Sequence, residues 1–154
     1  MTTATPAYVA IGANLGDAQA TVTRAIDDLA ALPHSRLVGR SSLYRSAPLE
    51  AQGPDFINAV VELHTALDPL QLLAELQRLE NSAGRERPYR NAPRTLDLDL
   101  LLHGDAVLQR PTLTLPHPRM HERAFVLLPL AEIAPARVTA AQLAQVAGQP
   151  IERL

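Results

Sequence analysis

Lysine, cysteine and tryptophan are all absent from the 154 residues, and every one of the fourteen basic residues is arginine. Each gap removes chemistry. Without lysine there is no GK[ST] phosphate loop and no amine for a Schiff base, which excludes P-loop nucleotide binding, pyridoxal enzymes and lysine aldolases. Without cysteine there are no thiolate nucleophiles, CxxC redox pairs, zinc knuckles or disulfides. Aromatic residues make up 3%. A net charge of −2 and a pI near 6.2 give no basic field to hold a nucleic acid. No apolar run nears the roughly 18 residues of a membrane span. Met1 to Ala7 lacks the basic and apolar regions of a signal peptide, so a cytoplasmic protein is expected. The lysine gap itself reads as coding bias, since Ala, Leu and Pro are abundant beside Arg. Where the arginines fall is a separate matter.

What is present is globular: 47% hydrophobic and 19% charged residues, in a length that suits a single domain over 1–154. Such a chain buries about 70% of its unfolded surface. Tyr8 to Gly12 reads as a buried strand. Asn14 to Asp17 is a turn into a helix of about 15 residues with Val22, Ile26 and Leu29 on one face. Leu37 to Ser46 is the second predicted strand, and Pro48 to Pro54 a loop. Ile57, Ala59, Val61 and Leu63 alternate with polar residues as a third. Asp68-Pro69 starts a second helix whose stripe is Leu70, Leu73, Leu76 and Leu79, with Gly84 as its stop. Leu96 to Leu102 is a fourth strand. The order β-α-β-β-α-β predicts an α+β, ferredoxin-like fold with an antiparallel sheet and helices on one face. C-terminal loops and helices follow: a Pro-rich loop over Pro111 to Pro118, a helix near Glu122 to Ile133 broken by Pro129, and a short helix from Ala140.

The strongest chemical signal is Leu96-Asp97-Leu98-Asp99-Leu100. Residues two apart on a strand share a face, so both aspartates project together while the leucines face the core. With Cα atoms about 6.6 Å apart, the two charges repel by roughly 2.5 kcal/mol at an effective dielectric near 20. Aspartate is also a poor strand former. A divalent cation, or two, would relieve the repulsion. Arg85, Arg87, Arg90 and Arg94 lie just upstream. Guanidinium forks match phosphate oxygens, and magnesium held by few carboxylates shares its shell with phosphates, so the combination suggests a Mg–polyphosphate site. The plainer alternative is a solvated charge run paired with Glu80 and Glu86.

His117 and His121 have the i, i+4 spacing of a zinc pair. Pro116 and Pro118 oppose a helix there, and no cysteine or HExxH pattern completes a set. A loop offering His117 and Arg123 to a nucleotide is the preferred reading. Asn58 carries both an amide donor and a carbonyl acceptor. It could read the edge of a heterocycle held between Phe56 and Phe125, although each of these is individually ordinary in a core or turn.

These segments together resemble one family, the 6-hydroxymethyl-7,8-dihydropterin pyrophosphokinases of folate biosynthesis. The resemblance rests on Ala10 to Gly16, Ser42 to Ser46, Phe56 to Ala59, Pro93-Arg94-Thr95-Leu96-Asp97-Leu98-Asp99, Pro116 to Phe125 and Pro129 to Pro135, in order over residues 8 to 135. It implies transfer of the diphosphate of ATP to the pterin hydroxymethyl group with release of AMP, a ferredoxin-like fold, and two Mg²⁺ ions held by Asp97 and Asp99. It further implies Arg85 and Arg94 as catalytic arginines at the phosphates. Gln77, Glu80, Arg87, His117 and Arg123 would contact ATP, and Ser46, Leu49, Phe56, Asn58 and Phe125 the pterin. No strong general base is implied. Asn91, Thr112 and Pro118 depart from residues frequent in the family. The expected partners are small molecules only, with no nucleic acid, no membrane and a monomeric chain. Two competitors share parts of the pattern. An RNA-binding module on the same fold would need exposed aromatics where Asp97 and Asp99 stand. A different Mg-dependent transferase would lack the Phe56/Asn58/Phe125 pocket.

Overall fold

The computed structural model describes residues 4–48, 54–83 and 96–154. In chain order these form β1 (Thr5–Ala13), α1 (Ala18–Ala30), β2 (Ser35–Arg40), β3 (Tyr44–Ser46), β4 (Phe56–Thr65), α2 (Pro69–Ala83), β5 (Asp97–His103), β6 (Leu108–Arg110), β7 (Leu113–Leu115), α3 (Ala124–Ile133), α4 (Ala140–Gln145) and β8 (Ile151–Arg153). The main sheet runs β5-β1-β4-β3-β8, with β2 also paired to β4, and every pairing is antiparallel. This is the β-α-β-β-α-β order expected.

Local chemistry sets the helix starts. Gly16 turns the chain at φ 59°, a left-handed conformation that suits glycine, and Asp17 then accepts from the Ala20 amide to cap α1. Asp68 and Gln71 exchange two hydrogen bonds, 2.8 and 2.9 Å, in a reciprocal cap for α2. Thr139 and Gln142 repeat the device at α4. The buried stripe of α2 is Leu72, Leu76 and Leu79, whereas Leu70 is exposed. Leu70 lies in the first turn, off the i, i+4, i+7 row that meets the sheet. The predicted stop at Gly84 lies outside the described residues.

The two sheet faces have different covers. Val22, Ile26 and Leu29 of α1 and the α2 leucines pack on Val9, Ile11, Ala59, Val61, Leu63, Leu98 and Leu100. On the opposite face Val126 and Leu130 of α3 pack on Tyr8, Ala10, Val60 and Leu101. Helices therefore lie on both faces, not one. α3 is apolar nearly all round because its outer side meets Val146 and partly buried Leu143 and Ile151. Pro129 sits inside it, and a short 3₁₀ turn, Met120–Glu122, precedes it. The predicted Pro-rich loop takes in the turn and second strand of the small β6–β7 hairpin, with Pro111 in that turn. No helix among the described residues is long and apolar enough to cross a membrane.

The single predicted strand over Leu37 to Ser46 is two, β2 and β3, separated at Ser41-Ser42-Leu43. Serine hydroxyls replace ladder bonds there: Ser41 Oγ accepts the Val60 amide at 3.0 Å. The Ser42 amide turns instead to Glu132 of α3, donating at 3.0 Å, and the Ser42 hydroxyl donates to the same carboxylate at 2.9 Å. Tyr44 Oη adds a third donor at 2.7 Å, and Arg153 stands 3.6 Å away. Burial opposes ionisation of Glu132. The Tyr44 hydroxyl, the Ser42 donors and Arg153 outweigh it and hold the carboxyl below its ordinary range. Tyr44 is pushed up to about 12, by burial first and by Glu132 next.

A carboxyl with a lowered folded-state pKa stabilises the fold when ionised, so its contribution is complete above the unfolded value and disappears as pH falls through the folded one. Denaturant midpoints measured for wild type and Glu132→Gln from pH 7 downward should differ most at neutral pH. They should converge once the pH is well below 4.5; a gap independent of pH would contradict the assignment.

Candidate active site

The central strand brings the site together. In the antiparallel register Gly12 of β1 lies opposite Asn58 of β4 on one side and Asp97 of β5 on the other, while Ala10 lies opposite Asp99. Because strand positions alternate between faces, all five lie on the sheet face opposite α1 and α2. α3 covers only the far half of that face. The near half is a cavity of about 280 Å³, lined by Ala10, Ile11, Gly12, Ala47, Pro48, Phe56, Asn58, Asp97, Asp99, Arg119, Arg123 and Phe125. This is at the small end of ligand cavities.

One half of the cavity is apolar with a single amide. Asn58 is buried at 3% exposure. Its Nδ2 donates to Ser46 Oγ at 2.7 Å, which fixes the amide plane and leaves Oδ1 toward the cavity. A side chain at position 12 would intrude: a Cβ built on Gly12 stands 3.5 Å from Asn58 Oδ1 and 4.0 Å from the Phe56 ring. Phe56 and Phe125 both line the space, from β4 and from the first turn of α3. Ser46 stands behind Asn58, buried, as its hydrogen-bond partner and not in the lining.

The other half is charged. Asp97 is exposed and Asp99 partly so, side by side on one strand face with Leu96, Leu98 and Leu100 buried beneath. Arg123 Nη1 lies 4.0 Å from Asp99 Oδ2, and its guanidinium sits 5.5 Å from the Phe125 ring centre, a cation–π distance. His117 is anchored by its own amide to the Leu101 carbonyl at 2.9 Å. Its Nδ1 accepts the Arg119 amide at 3.2 Å, so Nε2 carries the proton of the neutral ring. Burial lowers the His117 pKa, with Arg123 and Arg119 acting the same way against Asp99. The Asp97/Asp99 pair offers oxygen donors only, beside the small Ala10 and Gly12. That donor set suits a hard cation such as Mg²⁺, which takes one or two protein carboxylates and completes its shell with water and phosphate. Among the described residues no third His, Asp or Glu joins them as a metal cluster.

Of the remaining sequence-derived candidates, Glu80 accepts the Leu98 amide at 2.8 Å, tying α2 to the start of the aspartate strand. Gln77 is on the exposed side of α2, outside the cavity lining. Leu49, Arg85, Arg87 and Arg94 lie outside the described residues. Gly12 and Arg119 are among the lining residues that were not singled out from sequence. Gly12 was read only as a strand end, and its facing neighbours follow only from the register. Arg119 lay within the Pro116 to Arg123 cluster, where the sequence reading chose the other arginine, Arg123.

An α+β sheet whose open face sets paired carboxylates and arginines against an apolar slot with one oriented amide has the chemistry to bring a phosphorylated donor to a flat acceptor. The chain belongs to the HPPK family, described as 7,8-dihydro-6-hydroxymethylpterin-pyrophosphokinase, which it matches over residues 8–135. It is 48% identical over 129 residues to a Haemophilus influenzae protein named 2-amino-4-hydroxy-6-hydroxymethyldihydropteridine pyrophosphokinase, covering 83% of this chain and 81% of that one. A Pseudomonas aeruginosa protein of the same name is 50% identical over 129 residues, covering 83% and 80%. Among solved structures, a Plasmodium falciparum HPPK-DHPS with pteroate shares the fold at a TM-score of 0.67 and 13% identity. That match covers 87% of this chain and 40% of the Plasmodium chain, so this chain spans well under half of that protein.

If Asn58 Oδ1 reads a ligand edge, Asn58→Ala should weaken binding of a pterin substrate by about tenfold or more, the cost of one buried hydrogen bond. Nucleotide affinity should be unchanged, which isothermal calorimetry with each ligand separately would check.

Proposed function

We propose that the protein transfers the diphosphate of ATP to 6-hydroxymethyl-7,8-dihydropterin, giving AMP and 6-hydroxymethyl-7,8-dihydropterin diphosphate, a step of folate biosynthesis. Family membership and the names of its relatives support the activity. The observation that carries the reading is the register placing Gly12 between Asn58 and Asp97, so that an acceptor slot and a carboxylate pair share one cavity.

In this reading the pterin ring lies in the apolar half. Phe56 and Phe125 flank it, Asn58 reads its edge with Ser46 behind, and Leu49 closes the slot. Asp97 and Asp99 would hold two Mg²⁺ ions. Bound there, the cations would neutralise the triphosphate and the charge that develops on its β-phosphoryl group. Arg85 and Arg94 act on the phosphates as catalytic residues, while Gln77, Glu80, Arg87, His117 and Arg123 hold the nucleotide. The hydroxymethyl oxygen attacks the β-phosphorus, the bond from that phosphorus to the α-phosphate bridging oxygen breaks, and AMP departs. The hydroxyl proton passes to solvent. No side chain has to serve as nucleophile or strong base, in keeping with a chain free of lysine and cysteine. His117 is suited to donate from Nε2 to a nucleotide acceptor, because its neutral ring already accepts at Nδ1.

The same reading takes residues 1–154 as one pyrophosphokinase domain, monomeric and cytoplasmic, acting on small molecules without nucleic acid. The net charge of −2 supports the last point.

The test is AMP formation from MgATP with and without the hydroxymethyl-pterin. Appreciable AMP should form only with both. Asp97→Ala and Asp99→Ala should each lower the rate by about 10³-fold or more while far-UV circular dichroism stays native. Undiminished AMP release by either variant would remove the metal-holding role from that residue.

A further inference from the structure

The cavity has two walls from different parts of the chain. Phe125 and Arg123, at the start of α3, form one; Ala47, Pro48, Phe56 and Asn58, on and beside β3 and β4, form the other. β3 is only three residues long, follows a break in the ladder, and pairs over three residues each with β4 on one side and the short β8 on the other. It nevertheless has to be placed accurately. Tyr44 pairs with Asn58 in the register, and Ser46, two residues on, supplies the hydroxyl that orients the Asn58 amide.

We infer that Glu132 is a positioning residue for the pterin half of the site, fixing the spacing between these walls by tying the last turn of α3 to the first residues of β3. The inference rests on the pterin reading of the cavity. The carboxylate takes the amide and hydroxyl of Ser42 and the hydroxyl of Tyr44, three donors across about 90 residues of sequence, at 2.7–3.0 Å. The Ser42 amide has left the sheet ladder at this break, and the tie supplies it with an acceptor. α3, ten residues and about 15 Å long, then acts as a strut from Glu132 at β3 to Phe125 over the cavity. Moving β3 relative to this strut shifts Ser46, and with it the direction of Asn58 Oδ1. The tie touches none of Asp97, Asp99, Arg119 and Arg123, and the one arginine beside it, Arg153, does not line the cavity, so nucleotide binding should not depend on it.

Glu132→Gln keeps the shape but cannot accept all three donors. It should raise the dissociation constant for 6-hydroxymethyl-pterin roughly tenfold, within the range of mutations that act through a packed network. Affinity for a non-hydrolysable MgATP analogue, and kcat at saturating pterin, should change less than about twofold. Tyr44→Phe removes one donor and is the milder probe should Glu132→Gln fold poorly. It should shift pterin affinity in the same direction by a smaller factor, and the double variant should be little worse than Glu132→Gln alone, as coupled residues behave. Pterin affinity unchanged in Tyr44→Phe and Glu132→Gln, or pterin and nucleotide binding lost together in proportion to unfolded protein, would overturn the inference. Asn58→Ala measured alongside separates the two readings. If it weakens pterin binding while the Glu132 and Tyr44 variants do not, only the strut is wrong. If it too has no effect, the pterin assignment of the cavity falls with it.

Discussion

The backbone ladder that β1 makes with two partners at once is the constraint on which the site depends. β4 pairs on one side of it and β5 on the other, both antiparallel, and the two registers meet at Gly12. The alignment is held by hydrogen bonds along nine residues with β4 and by the burial of Val9 and Ile11 between α1, α2 and the sheet. A slip of one residue on either side would turn an apolar row outward and the core face polar, which makes the register costly to change. Asn58 and Asp97 are 39 positions apart in sequence, yet they are neighbours across one strand because hydrophobic alternation elsewhere in the sheet fixes them there. Gly12, by carrying no side chain between them, keeps the two halves of the cavity continuous.

Strand β5 shows how one face serves two purposes. Asp97 and Asp99 occupy its first part and Leu101 its second, all on the side away from α1 and α2. Pairing with β1 slips between Tyr8 and Val9, which leaves Leu101 extra and puts both Leu101 and Leu102 against the α3 cluster. α3 is laid over the leucine part and stops short of the aspartates. The open cavity is therefore the portion of the sheet that α3 does not reach, bounded by the helix's own first turn.

Much of this was legible in the residues. The Asp-x-Asp alternation, the turn ending at Asp17, the helix start at Asp68 and the apolar stripe of α1 depend on short-range pattern, which sequence displays directly. What sequence hid depends on contacts between distant segments. The break inside the predicted Leu37 to Ser46 strand is set by Glu132, some 90 residues away, taking the Ser42 amide. The exposed position of Leu70 depends on which row of α2 meets the sheet. Placing α3 on the second face needed the knowledge that Val60 and Leu101 present apolar surface there. That the Ser46 hydroxyl accepts from the Asn58 amide depends on the pairing of β3 with β4, which spacing along the chain does not express.

Pro129 distributes the hydrogen bonds of α3 unequally along its length. A proline has no N–H to donate to the carbonyl four residues earlier, and that carbonyl belongs to Phe125. The turn that forms one wall of the cavity is thus joined to the rest of the helix by one hydrogen bond fewer. The Ala134 amide still closes the last turn on Leu130 at 2.7 Å, and Glu132 stays fixed to Ser42 and Tyr44. The hydrogen bond that proline denies the strut therefore falls at its cavity end, while the end that anchors it to the sheet is fully tied.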